Sequence, residues 1–206
     1  MKNTINFLLA GVGGQGTILA SDVLVNVGRS AGYQTKKAEV HGMSQRGGSV
    51  TSYVRWGEMV YSPLVGAGEV NVFLAFEKVE ALRYLNQLQP GALALINMEA
   101  IEPVTVTSAG ATYPHDDHLR SSFTQVTPNV TYIDGPQIAA ELGNPKVANV
   151  VLLGALATLL EQHGLVGAEL TNEMWLAALA ERVPQKHIAL NKQAFLTGRE
   201  SVSSGK

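Results

Sequence analysis

Cysteine is absent from the whole of this 206-residue chain. Without thiols there is no disulfide framework, no cysteine nucleophile and no thiolate to ligate an iron–sulfur cluster. That fits a cytoplasmic protein, as it also fits many exported chains. A charge excess is missing too: 15 Lys and Arg face 17 Asp and Glu, for a net charge of −2. Nothing in that balance draws the chain to nucleic acid or to an anionic membrane. Long apolar runs are also lacking. The longest, residues 147–160, is interrupted by Asn149 and falls short of the ~20 residues of a membrane span. Residues 1–10 pass straight into a glycine loop with no cleavage region, so they read as a first strand rather than a leader. What remains is a hydrophobic fraction of 46% with 16% charged residues, enough core for one α/β domain.

Periodicity places the elements. Residues 5–10 form an apolar strand, 11–16 a glycine loop, and Ile18, Leu19, Val23, Leu24 and Val27 recur at helical spacing until Gly32. A strand over 33–40 completes a βαβ unit, which implies parallel strands and a right-handed crossover. Residues 49–55 alternate as a strand. Trp56-Gly57-Glu58 reads as a turn into an antiparallel excursion over 59–62. Further strands are expected at 70–76, 92–97, 104–107 and 130–134, with a helix over 78–89 and a turn at Pro90-Gly91. Residues 109–128 are polar and follow no clear period. The last third is helical over 135–142, 145–163, 171–182 and 184–196, with Pro145 and Pro184 suited to first turns. The expectation is a single domain over residues 1–200 and a disordered tail over 201–206. Its fold class is α/β: a Rossmann-like three-layer sandwich whose mainly parallel sheet has an antiparallel excursion and a helical C-terminal segment.

Two loops carry the chemistry. Gly11-Val12-Gly13-Gly14-Gln15-Gly16 satisfies G-x-G-x-x-G between a strand and a helix. Glycines there allow a tight turn and close approach of phosphates, and the helix N-terminus offers free N–H donors. Glu39 lies near the place where a dinucleotide fold keeps an acid for the ribose. However, Gly14 and Gln15 are permitted rather than required by that pattern, and the loop after Glu39 would crowd an adenosine. A dinucleotide, another anion or partner, and simple packing all remain open for this loop. The second loop, His41-Gly42-Met43-Ser44-Gln45-Arg46-Gly47-Gly48, holds more hydrogen-bonding chemistry than a strand connection needs. Arg46 offers a planar fork to a carboxylate or phosphate, and Gly47 and Gly48 expose adjacent N–H groups. His41 could serve as acid, base or donor. Equally, Met43 and Arg46 could anchor a subunit contact. In a parallel sheet both loops open at the carboxyl edge, where ligands bind.

Other signals are weaker. His115-Asp116-Asp117-His118 combines possible metal ligands in a polar stretch, but such clusters are usually solvated. Glu77 and Glu80 suit a helix start as well as they suit acid–base work. Asn149 in its apolar helix needs a buried partner or reaches toward a site. Lys186 runs against its helix dipole, which would suit an anion or plain solvent.

Together, G-V-G-G-Q-G and E-V-H-G-M-S-Q-R-G-G-S-V resemble the gamma subunit, or catalytic domain, of the 2-oxoacid:ferredoxin oxidoreductases. Val54-Arg55-Trp56-Gly57, Ser62-Pro63, Leu74-Ala75-Phe76-Glu77 with Glu80-Ala81-Leu82-Arg83, Val147-Ala148-Asn149 and Lys186 with Asn191 follow in the family's order over nearly the whole chain. The H-G-M-S-Q-R-G-G form is most similar to the beta subunit of indolepyruvate:ferredoxin oxidoreductase. Asn71 departs from the family's usual aspartate. The resemblance implies oxidative decarboxylation of a 2-oxoacid, of the indolepyruvate or aryl pyruvate kind or of the pyruvate type, to an acyl-CoA, with coenzyme A as co-substrate and electrons passed to ferredoxin. It also implies thiamine diphosphate, Mg2+ and 4Fe–4S clusters in a partner subunit. This chain has neither thiolates nor a G-D-G…N segment, so it would bind none of them and be inactive alone. The cleft or partner contact would then involve Gly11, Gly13, Gly14, Gln15, Gly16, His41, Ser44, Gln45, Arg46, Gly47, Gly48, Asn149 and Lys186, with no metal ligand and no assigned catalytic residue. Two rival readings are a stand-alone NAD(P)-dependent oxidoreductase and a non-catalytic scaffold subunit.

Overall fold

In the computed structural model, residues 3–41, 48–102 and 112–203 are described. The sheet begins with β1 (Ile5–Val12), every residue of which is buried. The chain continues through α1 (Thr17–Ser30), β2 (Gln34–His41), β3 (Ser49–Gly57), β4 (Val70–Ala75), α2 (Lys78–Arg83), β5 (Leu88–Asn97), α3 (Asp116–Thr124) and β6 (Val130–Ile133). It ends in α4 (Gly135–Glu141), α5 (Ala148–Gln162), α6 (Asn172–Arg182) and α7 (Ile188–Ser203). The six strands take the order β2-β3-β1-β4-β5-β6. β1, β4, β5 and β6 are parallel neighbours, whereas β3 pairs antiparallel with both β1 and β2.

Alternation along the strands divides the core in two. Phe7, Leu9, Val72, Leu74, Leu93 and Leu95 meet α1 and the C-terminal helices on one face. Leu8, Ala10, Phe73, Ala75, Ala94 and Ile96 meet α2 and α3 on the other. A period of two with both faces apolar is the signature of a sheet buried between helical layers. The α/β class is as expected.

α5 is buried from Asn149 through Leu160 because helices surround it. It crosses α7 with backbones almost touching. A Cβ on Gly154 would lie 1.9 Å from the Phe195 carbonyl oxygen, and one on Gly198 would lie 2.0 Å from that of Val151.

Several details differ from the sequence expectations. The βαβ strands β1 and β2 run the same way but are not neighbours, because β3 is inserted between them. The antiparallel element is β3 itself, and residues 59–62 form no strand. Trp56 lies within β3, fully buried, its ring 4.7 Å from Phe7 and 5.5 Å from Tyr33 between centroids. The Trp-Gly pair looked like a turn, but burying the largest side chain available overrides local turn preference. The helix expected over 78–89 stops at Arg83, and β5 starts at Leu88. Pro90 and Gly91 are absorbed there as an irregularity, where Val70 faces Leu88 and Val72 already faces Leu93. α3 falls in the stretch without a period. α7 continues through Ser203, past the point where the tail was expected to begin. The expected strand at 104–107 lies outside the described residues.

Candidate functional site

β1 leads to α1 on one face of the sheet and β4 leads to α2 on the other. The carboxyl ends of β1 and β4 therefore part at a switch point, where open α/β sheets form their crevice. A cleft of about 290 Å³ lies there, lined by Gly13, Gly14, Gln15, Glu99, Lys146 and Asn149 among others. A second of about 310 Å³ adjoins it and shares Lys146 and Asn149, with His187 and Asn191 on its far side.

The glycine loop is built by its neighbours. Gly14 and Gly16 hold φ of 107° and 82°, a region open to glycine but strained for other residues. Gly16 is the N-cap of α1 and provides no side-chain cap, so the first-turn donors remain a pole of positive charge. The Gln15 side chain is fully engaged. Its Oε1 accepts from the Val12 N–H at 2.9 Å, and its Nε2 donates at 2.8 Å to both the Phe76 carbonyl and Glu99 Oε2. Asn97 joins them, donating to the Phe76 carbonyl at 2.9 Å and accepting from the Gly135 N–H at 3.0 Å. Gln15 thus belongs to the cleft wall, with its polar atoms spent on the fold. Gly11 packs against Phe76 and Thr17 beneath the loop.

Two groups depart from this saturation: the Thr17 hydroxyl, buried without a partner among the described residues, and Asn149. Asn149 is only 9% exposed, lines both clefts, and makes no side-chain hydrogen bond among the described residues. Its amide nitrogen lies 2.2 Å from where a Cβ on Gly16 would stand. The core hydrogen bond that sequence reasoning allowed for is therefore missing, and Asn149 instead sits against the α1 cap. Sequence reasoning also weighed Lys186, which is exposed on the turn before α7 and lines neither cleft. Lys146, not singled out beforehand, takes its place. Its one available signal was its position in Pro145-Lys146-Val147, just ahead of the helix that carries Asn149.

Of the second loop, Gly48 is described and its carbonyl accepts the Gly13 N–H at 2.9 Å. The two signature loops are thereby hydrogen-bonded to each other. Ser44, Gln45, Arg46 and Gly47, with the His41 side chain, lie outside the described residues. Just past the loop, Ser49 Oγ donates to Glu80 Oε2 at 2.5 Å and lies 3.1 Å from the Tyr84 hydroxyl. Asn71, the departure noted above, accepts the Asn6 N–H at 2.7 Å.

Glu77 and Glu80 are 1% and 2% exposed. Glu77 caps α2 through the Val79 and Glu80 N–H groups, and also accepts from the Ile101 N–H and the Tyr113 hydroxyl. Burial raises the Glu80 carboxyl above the ordinary range, against the opposing pull of Ser49 and Arg83. A raised folded-state value contributes stability below the unfolded-state value and loses it as pH rises through the folded one. Glu80→Gln is therefore expected to gain on the native protein as pH rises from the carboxylate range to neutrality. Urea denaturation at both ends of that window checks the sign; a gain that shrank with rising pH would contradict it.

His115 and His118 bracket the start of α3, where Asp116 pairs with Lys78 at 2.8 Å. No group of three potential metal ligands occurs among the described residues. Also among these, no helix is long and apolar enough to cross a membrane.

The order β2-β3-β1 bears on the dinucleotide reading. β3 sets the end of β2 two strand spacings, about 9–10 Å, from β1, twice the separation in a dinucleotide fold. Glu39 on β2 is already bonded to Lys37.

Fold and site together define an α/β domain of the doubly wound type, with a glycine-loop cleft at its switch point. The chain belongs to the pyruvate ferredoxin/flavodoxin oxidoreductase family, whose pattern matches residues 6–201. It is 41% identical to the indolepyruvate oxidoreductase subunit IorB of Thermococcus kodakarensis, over 94% of this chain and 93% of that one. The fold matches the gamma subunit of a keto/oxoacid ferredoxin oxidoreductase from Geobacter sulfurreducens, with a TM-score of 0.69, 24% identity and coverage of 98% and 99%. It also matches the 2-oxoglutarate:ferredoxin oxidoreductase of Magnetococcus marinus, in a structure with 2-oxoglutarate, coenzyme A and succinyl-CoA bound. There the TM-score is 0.73 at 18% identity, and all of this chain covers 32% of that one.

Proposed function

We propose that this chain is the gamma-type subunit of a cytoplasmic 2-oxoacid:ferredoxin oxidoreductase acting on aryl pyruvates such as indolepyruvate, and that its cleft receives the phosphates of coenzyme A. The overall reaction converts the 2-oxoacid and coenzyme A to an acyl-CoA and CO2, with two electrons passing to ferredoxin. The chain's donor set does not fit the cofactors of that reaction, since it has no cysteine to hold a cluster. On this reading the 4Fe–4S clusters, and with them thiamine diphosphate and Mg2+, are held by the partner subunit, which would supply the carbanion and electron chemistry.

What this chain contributes is binding and placement. The observation that carries the reading is Asn149: a largely buried residue against the cap of α1 whose amide makes no hydrogen bond among the described residues and opens to both clefts. The amide is not sealed off from water; it meets the solvent of the clefts, where an anion at the helix N-terminus could take its N–H in place of water. Lys146 beside it adds positive charge. Gly48 supports the same reading, because its carbonyl takes the Gly13 N–H of the glycine loop. The IorB relative supports the aryl substrate.

Titration of coenzyme A into the assembled complex tests this reading. Saturable binding that survives removal of the 2-oxoacid and is weakened by Asn149→Asp is the expected result. Binding untouched by that change would sink the cleft assignment. Titrating NADH into the lone chain separates the rival: no saturable binding at micromolar concentration is expected. The lone chain is also expected to be inactive with 2-oxoacid, coenzyme A and ferredoxin until its partner is added.

A further inference from the structure

The turn that follows β4 links parts of the molecule far apart in sequence. The Phe76 carbonyl takes Gln15 and Asn97. Glu77 holds Ile101 and Tyr113. One turn on, Glu80 holds Ser49, the first residue of β3. Ser49 follows Gly48, whose carbonyl takes the Gly13 N–H, and Ser49 itself is registered against Val12.

A continuous path therefore runs from the Glu80 carboxylate through Ser49 and Gly48 to the backbone of the glycine loop. Stability alone gives little reason for an ionisable group at its origin. A carboxylate 2% exposed loses its hydration, and its cation, Arg83, is 50% exposed at 3.2 Å. An apolar side chain beside Ala81 and Leu82 would avoid that cost. What an apolar side chain lacks is the close acceptor, at 2.5 Å, that fixes the Ser49 hydroxyl; the Tyr84 hydroxyl at 3.1 Å is the more distant alternative.

We propose that Glu80 is a positioning residue. Through Ser49 it sets where Gly48 meets Gly13, and so holds the glycine loop at the separation from β3 that the cleft requires. Glu80 touches no ligand. It deepens the reading of the cleft as the coenzyme A site, and its first readout does not depend on that reading.

The experiment uses the complex with the thiamine-bearing partner and compares Glu80→Ala, Glu80→Gln and Ser49→Ala. Hydrogen exchange at the Gly13 amide reports the path directly. Glu80→Ala and Ser49→Ala are each expected to speed it about tenfold while α5 and α7 amides keep their protection. Glu80→Gln, which retains an acceptor for Ser49, is expected to return it to the native rate. In steady-state kinetics the two alanine variants should raise KM for coenzyme A about fivefold with kcat within about twofold, and Glu80→Gln should restore it. If Glu80→Ala does not assemble, Ser49→Ala decides, because it cuts the same link and leaves no cavity of note. Unchanged Gly13 exchange in the alanine variants overturns the proposal, as does a uniform loss of protection across the domain. Faster Gly13 exchange with an unchanged KM would leave Glu80 as the positioner and overturn the coenzyme A reading instead.

Discussion

Replacing Asn149 with aspartate is expected to raise KM for coenzyme A in the assembled complex by at least about tenfold, which corresponds to about 1.4 kcal/mol, with little change in protein stability. The two expectations have different physical sources. Asn149 presents its amide nitrogen to Gly16 at the start of α1 and borders both clefts. Aspartate at the same place removes a donor and adds a negative charge. Within about 4 Å of a phosphate that charge opposes binding by up to about 4 kcal/mol at an effective dielectric of about 20. For the fold the sign is reversed. A carboxylate at a helix N-terminus gains about 0.3–1 kcal/mol from the dipole, and the clefts that Asn149 lines leave its polar atoms open to solvent, so little burial cost opposes that gain. Loss of affinity without loss of folding is a pattern that general damage does not produce. Steady-state kinetics and a melting curve on one preparation check it. An unchanged KM, or a fall in melting temperature that accounts for the lost activity, would remove Asn149 from the site.

Gly154→Ala is expected to lower the melting temperature by about 5–10 °C, the shift that about 2–3 kcal/mol produces in a domain of this size. The added methyl has nowhere to go. Its carbon would stand 1.9 Å from the Phe195 carbonyl oxygen and 3.0 Å from the Arg199 nitrogen, both backbone atoms that no rotamer change can move. α5 and α7 must separate, which opens the packing around Leu156 and Phe195 in the larger core. Gly198→Ala meets the Val151 carbonyl from the other side of the same crossing, so the two changes should not add. A double variant no less stable than the worse single one would be consistent with one shared contact. A melting temperature unchanged in either single variant would mean that the helices do not approach as closely as described.

Asn149 and Lys186, both singled out in the sequence, come to different places in the fold. Asn149 stood out because a polar residue interrupts an apolar run, and the fold places that residue where the helix borders the clefts. Lys186 stood out on the same kind of ground, a charge opposed to a helix dipole. It lies on an exposed turn, where water can solvate the charge. Gln15 shows a third case. Its place in the glycine loop was legible, but not that its three hydrogen bonds would go to Val12, Phe76 and Glu99, since the last two come from elements more than sixty residues away. Lys146 was passed over because nothing near it in sequence distinguishes a lysine that borders a cleft from one on any surface turn.

From the residues alone came the α/β class, the strand–glycine loop–helix start, the helical C-terminal third and, through two short loops, the family. These are local or periodic properties: the spacing of apolar side chains, the conformations open to glycine, the absence of any thiol. Only the tertiary structure decided that β3 enters between β1 and β2, that Gly13 is bonded to Gly48, and that Asn149 stands at the cap of α1. Strand order and long-range contacts depend on which apolar faces find each other in space, and a one-dimensional pattern with period two reads the same for a strand at either address.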